Sequence, residues 1–180
     1  MNVDMRNINR YVKSPDVHYE TVGYINSSMR MVQTGTSNTN ASGRKYVRFP
    51  EKGKIKWHTH PHSDGFWPSF EDLNHGYNDQ GIVNVLFTRF GTWLFRGFGR
   101  IPDQFHHDLL YHNWYWMHMV LDKRTSQTDW TETEIMSYID YFVNIANKIG
   151  YHIEFVPNFK SMNIDKYTTI VQNRLSRLGS

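Results

Sequence analysis

The segment KWHTHPHSDGFWPSFEDL, residues 56–73, holds the reading on which the fold of the whole chain turns. It begins inside GKIKWHTH (53–60), a run with strand character. It stops at Pro61 and resumes at Ser69, where S-F-E-D has the pattern of a capping box with Asp in place of the usual Glu. Strand, loop and helix therefore follow one another within eighteen residues. Six of those residues, His58, His60, His62, Asp64, Glu71 and Asp72, are of types that ligate metals, and one ion uses only three or four of them. Side chains alternate along a strand, so His58 and His60 project from one face, about 6–7 Å apart at their Cα atoms. That separation suits two ligands of a single tetrahedral ion. A third ligand must come from beyond Pro61.

Upstream, ETVGYINSSMRMVQ (20–33) has strand character, and QTGTSNTNASGRK (33–45) reads as an exposed loop. RKYVRF (44–49) is a further short strand, with PEKG (50–53) as the turn before the histidine strand. Downstream of Ser69 a short helix is expected to end near Gly76 or Gly81. Two strands, 82–89 and 92–98, then join at a tight turn over Phe90 and Gly91. The near-continuous apolar run Ile82, Val83, Val85, Leu86 and Phe87 predicts a strand buried on both faces. Residues 102–123 open with Pro102 and carry Phe105, Leu109, Leu110, Trp114, Met117 and Leu121 at helical spacing. The segment 129–150 has an acidic first turn, Ile135, Ile139, Phe142 and Ala146 on one face, and Gly150 as its stop. YHIEFVP (151–157) predicts another strand and 164–178 a final helix. Strands and helices mix without a regular βαβ rhythm, which points to an α+β fold or a three-layer α/β sandwich.

At 180 residues the chain is expected to form a single domain over 1–180 with one substantial core. The absence of cysteine excludes a disulfide framework and restricts any zinc site to His, Asp and Glu. No apolar run is long enough to span a membrane, and the first residues lack a signal-peptide pattern, so a soluble, cytoplasmic protein without a membrane partner is expected. The formal charge of +3 is spread along the chain. With no motif behind it, this excess does not indicate nucleic acid. No Gly-rich phosphate loop is present.

The string H-T-H-P, a loop, and then S-x-x-D resembles the signature of the JAMM (MPN+) zinc metallopeptidases, whose upstream Glu lies in the form E-x-x-G before the first strand. Here Glu20, Gly23, Tyr24 and Ile25 of HYETVGYI supply that element, 38 residues before His58. The similarity covers roughly residues 15–100, leaving 101–180 as a largely helical extension. It implies an α/β sandwich with a cytidine-deaminase-like MPN core and a mixed, mostly antiparallel sheet flanked by helices. It also implies one Zn²⁺ per chain, held by His58, His60 and Asp72, with Glu20 as general base and Ser69 as oxyanion donor. The loop between His60 and Ser69 is one residue longer than the family's usual spacing. Glu71 would restore the ligand spacing, but it would put Pro68, which has no hydroxyl, in the serine position. A residue added to a surface loop costs little, so Asp72 is preferred to Glu71. Glu51 is read as a surface residue, and His62 and Asp64 as loop residues beside the site.

The activity implied is hydrolysis of isopeptide or peptide bonds, with a ubiquitin or ubiquitin-like protein conjugate as the substrate partner. Alternatives are JAMM-type processing of another protein, as in prokaryotic and phage relatives, or an inactive MPN scaffold. The Cys/His zinc insert of the family's lysine-63-chain specialists has no counterpart here. His106, His107, His112 and His118 lie on the 102–123 helix. Separations of five and six do not bring successive pairs onto one face, so they are read as surface or lightly buried side chains. Trp114, Tyr115 and Trp116 are read as packing residues.

Overall fold

The computed structural model describes residues 20–26, 28, 30–39, 41–42, 45–46, 54–61, 64–78, 81–97, 102–159 and 163–178. Within them the order of strands is β1 (Thr21–Ile25), β2 (Met31–Thr36), β3 (Asn38–Thr39), β4 (Lys45–Tyr46) and β5 (Ile55–Thr59). Helix α1 (Phe70–Asn78), β6 (Val83–Thr88), β7 (Gly91–Arg96), α2 (Gln104–Thr125), α3 (Glu132–Lys148), β8 (His152–Pro157) and α4 (Ile164–Leu178) follow. The fold is α+β, built on a mixed six-stranded open sheet of order β2-β1-β5-β6-β7-β8; β3 and β4 form a separate two-stranded ribbon. Only β5 and β6 run parallel, and α1 lies in the crossover between them. The remaining pairs are antiparallel.

Strand alternation sorts the sheet into two cores. Leu86, Trp93, Phe95 and Ile153 face α1, α2 and α3, which contribute Leu73, Leu110, Met117, Leu121, Ile135, Ile139 and Phe142. On the opposite face Trp57, Val83, Val85, Phe87 and Leu94 pack against α4 through Tyr167, Val171, Leu175 and Leu178. Every residue of β6 is buried, as its unbroken apolar run predicts. Ile135, Ile139, Phe142 and Ala146 of α3 are fully buried; each large side chain of this kind contributes about 1.5–3 kcal/mol by leaving water. The segment beyond residue 100 is part of this sheet assembly, since β8 pairs with β7 along its length.

Several boundaries differ from those read in the sequence. The 20–33 stretch divides into β1 and β2 because Asn26 turns the chain, its Oδ1 accepting from the backbone N–H of Ser28 and Arg30. β2 then continues to Thr36, inside the segment read as loop. The β6–β7 turn falls on Arg89 and Phe90 rather than on Phe90 and Gly91; Gly91, at φ +155°, already pairs with Thr88. A β-carbon on Gly91 would lie 2.4 Å from the Val156 carbonyl oxygen, which accounts for glycine there. The α2 cap is Asp103, one residue beyond Pro102, and its side chain accepts from His106 N–H. Phe105 is 69% exposed and Tyr115 and Trp116 are also exposed, because Leu110, Met117 and Leu121 take the core-facing side of α2. A helix cannot turn three consecutive side chains inward. The PEKG turn with Glu51, part of the RKYVRF strand and the segment before Glu20 lie outside the described residues. No helix among the described residues is long and apolar enough to cross a membrane.

Candidate metal centre

Three short elements deliver the site. β5 carries His58 buried on the face that carries α1, and just beyond the strand His60 N–H adds one more bond to the parallel ladder by donating to Phe87 O at 3.0 Å. The chain then loops to Ser69, which caps α1 as expected. Asp72 N–H donates to Ser69 Oγ at 3.0 Å, and Ser69 N–H donates to Asp72 Oδ2 at 2.7 Å. This reciprocal pair fixes the Asp72 carboxylate at the helix N-terminus, over the histidine strand.

The three side chains converge. His58 Nε2 lies 3.2 Å from Asp72 Oδ1, and His60 Nε2 lies 3.4 Å from Asp72 Oδ2. One ligand atom from each of the three falls within 4.8 Å of the others, the only such grouping of three or more metal-ligating side chains among the described residues. Zinc bonds of about 2.0–2.1 Å to nitrogen and oxygen place neighbouring ligands of a tetrahedron roughly 3.3 Å apart. The two histidine–carboxylate separations run to different oxygens of Asp72, so the fit rests on the grouping within 4.8 Å and on its chemistry: two imidazoles and one carboxylate are a donor set that suits such an ion. His60 Nδ1 also contacts Gly65 O at 2.8 Å, which places its proton on Nδ1 and leaves Nε2 as the donor toward the centre. Glu71 is exposed, whereas Asp72 is 8% exposed. Ser69 and Asp72 keep the spacing of a helix cap, and Asp72 rather than Glu71 belongs to the grouping.

Glu20 reaches this centre from the position just before β1. Its Oε1 lies 3.9 Å from His60 Nε2. Its backbone is held on both sides by Ser37: Ser37 N–H donates to Glu20 O, and Glu20 N–H donates to Ser37 Oγ. A second tie comes from the central residue of H-T-H. Thr59 points away from the histidines, accepts Thr21 N–H on Oγ1 at 3.0 Å and shares a further 3.0 Å hydrogen bond with Thr21 Oγ1. Thr21 and Thr59 thus lock the start of β1 to the end of β5 on the opposite face from the site, and set Glu20 beside His60. Gly23 is equally constrained. A β-carbon there would lie 1.9 Å from Val32 O and 2.7 Å from the Trp57 ring.

Electrostatics follow from this crowding. Burial pushes the Asp72 carboxyl up, but the adjacent His58 and His60 outweigh it and hold the group well below the usual carboxylate range. Burial pushes His60 down, but its hydrogen bond to Asp72 and the charges of Asp72 and Glu20 raise it to about 9. Glu20 is raised, because burial outweighs the pull of the two histidines. A carboxylate tuned upward beside a ligand cluster has the character of a general base.

A cavity of about 400 Å³ opens onto this centre, with Glu20, His60, Ser69 and Asp72 on one side and Asp64 and Glu71 also lining it. Sequence reasoning missed the other wall, which is supplied by Trp67 and by Trp114, His118 and Asp122 of α2. Indole N–H groups pin the approach to Ser69. Trp93 donates to Phe66 O, Trp114 to Pro68 O, and Trp67 to His118 Nδ1. Trp114 is a packing residue as read, but His118 belongs to the site. His106 bonds to its helix cap Asp103, His107 packs on Phe70, and His112 is exposed. His62 lies outside the described residues. No family model matches the chain, and no curated protein matches it.

Proposed function

We propose that the chain is a zinc-dependent metallopeptidase of the JAMM type, with an MPN-like core, that hydrolyses isopeptide or peptide bonds. The leading substrate class is a protein conjugated to ubiquitin or a ubiquitin-like modifier. The observation that carries this reading is the meeting of two separated motifs: Glu20 from E-x-x-G lines one cavity with His60, Ser69 and Asp72, and His58 completes the ligand grouping behind it. The MPN assignment rests on the resemblance of those motifs, with which the β5–loop–α1 arrangement and the mixed sheet agree.

His58, His60 and Asp72 would hold one zinc ion, which when bound would supply Lewis acidity to the reacting water and the substrate carbonyl. Glu20 takes a proton at its carboxylate from the water whose oxygen bonds to the scissile carbonyl carbon, and delivers it to the amine nitrogen as the C–N bond breaks; the raised affinity that burial gives the group suits both halves of that transfer. Ser69 uses one acceptor site of its hydroxyl for the helix cap, so its O–H proton stays available to the carbonyl oxygen as negative charge develops there. Removing an oxyanion donor of this kind costs roughly 10²–10³ in rate.

The test is to incubate the zinc-loaded chain with ubiquitin chains of each linkage and with ubiquitin-like precursors, using Glu20→Gln as control. Cleavage by the wild type alone, with equal zinc in both proteins, supports the reading. A Glu20→Gln variant as active as the wild type removes Glu20 as the base. Zinc binding with no cleavage of any conjugate moves the substrate class to other proteins, as in JAMM-type precursor processing.

A further inference from the structure

His118 has no place in the motif that defines the site, yet three features fix it as a directional donor. Its Nδ1 lies 3.0 Å from Trp67 Nε1, and an indole nitrogen can only donate, so Nδ1 carries no proton. The single proton of the neutral ring is therefore on Nε2. The ring stacks on Trp114 at 5.1 Å with an interplanar angle of 9°, and Trp114 is itself held by its bond to Pro68 O. No hydrogen-bond partner of Nε2 is found among the described residues, and the ring lines the cavity. A held N–H that opens on a substrate-sized cavity is a recognition group, and on the peptidase reading the acceptor that every substrate presents there is a main-chain carbonyl oxygen.

We propose that His118 is a substrate-binding residue that donates Nε2–H to a main-chain carbonyl oxygen on the acyl side of the scissile bond. This rests on the peptidase reading above. The side follows from topology. β1, which Glu20 directly precedes, lies on one flank of β5, whereas α2 packs over the other flank through the core that includes Leu86 and Trp93. Glu20 hands its proton to the departing amine, so the amine lies toward β1 and the acyl chain runs toward α2. The helical segment beyond the motif thereby becomes part of substrate recognition.

The probe is acetyl-diglycyl hydroxamate, whose hydroxamate ligates zinc and whose acyl chain carries main-chain carbonyls; acetohydroxamate, which lacks them, is the control. Binding to the zinc-loaded chain is measured by calorimetry for the wild type, His118→Asn and His118→Gln. Asn can keep an acceptor for Trp67 but has nothing at the Nε2 position, whereas Gln places an amide N–H there. Losing one neutral hydrogen bond is worth roughly threefold to tenfold in affinity. His118→Asn is expected to lose that factor for the longer probe alone, and His118→Gln to recover to within about twofold of the wild type. Equal binding of the longer probe by His118→Asn and the wild type overturns the His118 assignment while leaving the metal centre standing. So does a His118→Gln variant as weak as His118→Asn. If neither hydroxamate binds the zinc-loaded wild type, the metal-centre reading and this inference fall together.

Discussion

Replacing Thr59 by Val keeps the shape of the side chain and removes one oxygen, which here serves two groups of a residue 38 positions away. Thr21 and Thr59 are 7% and 1% exposed, so water does not readily take over either bond. In Thr59→Val the Thr21 N–H is left buried without its acceptor, at about 1–3 kcal/mol, and the hydroxyl pair is lost as well, for a total of about 2–4 kcal/mol. Thr21→Val is milder, because Thr59 Oγ1 still accepts the Thr21 N–H; it forfeits one neutral bond, about 0.5–1.5 kcal/mol. The double variant loses the shared hydroxyl bond only once. It is expected to match Thr59→Val, with a coupling of about 0.5–1.5 kcal/mol. Urea unfolding of the four proteins, with the slope held common, gives the cycle. Thr59→Val no more destabilising than Thr21→Val, or strictly additive losses, would refute the clamp. Where the clamp is loosened, Glu20 drifts from His60, so on the proposed peptidase reading cleavage should fall in Thr59→Val by more than its unfolded fraction explains.

Other outcomes follow from the same geometry. The double variant His58→Ala/His60→Ala is expected to lose bound zinc by metal analysis, and undiminished zinc content would place the ion elsewhere. Gly23→Ala drives a β-carbon against the backbone of Val32, so a loss of at least about 3 kcal/mol in urea unfolding is expected; a loss below about 1 kcal/mol would mean that β2 gives way easily. In the metal-free protein His60, raised from 6.5 to about 9, contributes stability that is complete below 6.5 and is lost as pH rises through 9. Asp72, held below its ordinary 3.8, contributes stability present above that value and lost as pH falls below it. Stability from this pair should therefore peak between about pH 4 and 6.5. Asp72→Asn should flatten the alkaline decline, and an unchanged profile would show that other groups control it.

What could be read from the sequence was what repeats or neighbours itself. The alternation of His58 and His60, the Ser69–Asp72 cap and the buried faces of β6 and α3 are all local patterns, and each is present in the structure. Illegible were the bonds that span the chain. Trp67 to His118 bridges 51 positions and Trp114 to Pro68 bridges 46, with no periodicity to announce them. The spacing of the four histidines on α2 excludes a common metal site, but it cannot show that one of them meets an indole from another element. Thr59 reads as an inert spacer between two ligands until its partner on β1 is seen. The turn at Asn26 was signalled by the run N-S-S but obscured by strand-forming residues on both sides.

The way Glu20 is attached has a consequence for the order in which the site assembles. His60 and Asp72 are twelve positions apart, and a short loop followed by a self-capping helix brings them together. Glu20 arrives only when β1 closes a contact across 38 positions, and longer closures come at a higher entropic cost. A growing or refolding chain can thus bring His60 and Asp72 together before Glu20 joins them. On the peptidase reading, until β1 zips onto β5 the centre would hold an ion without the group proposed to move the proton, and hydrolytic competence would be a late product of folding.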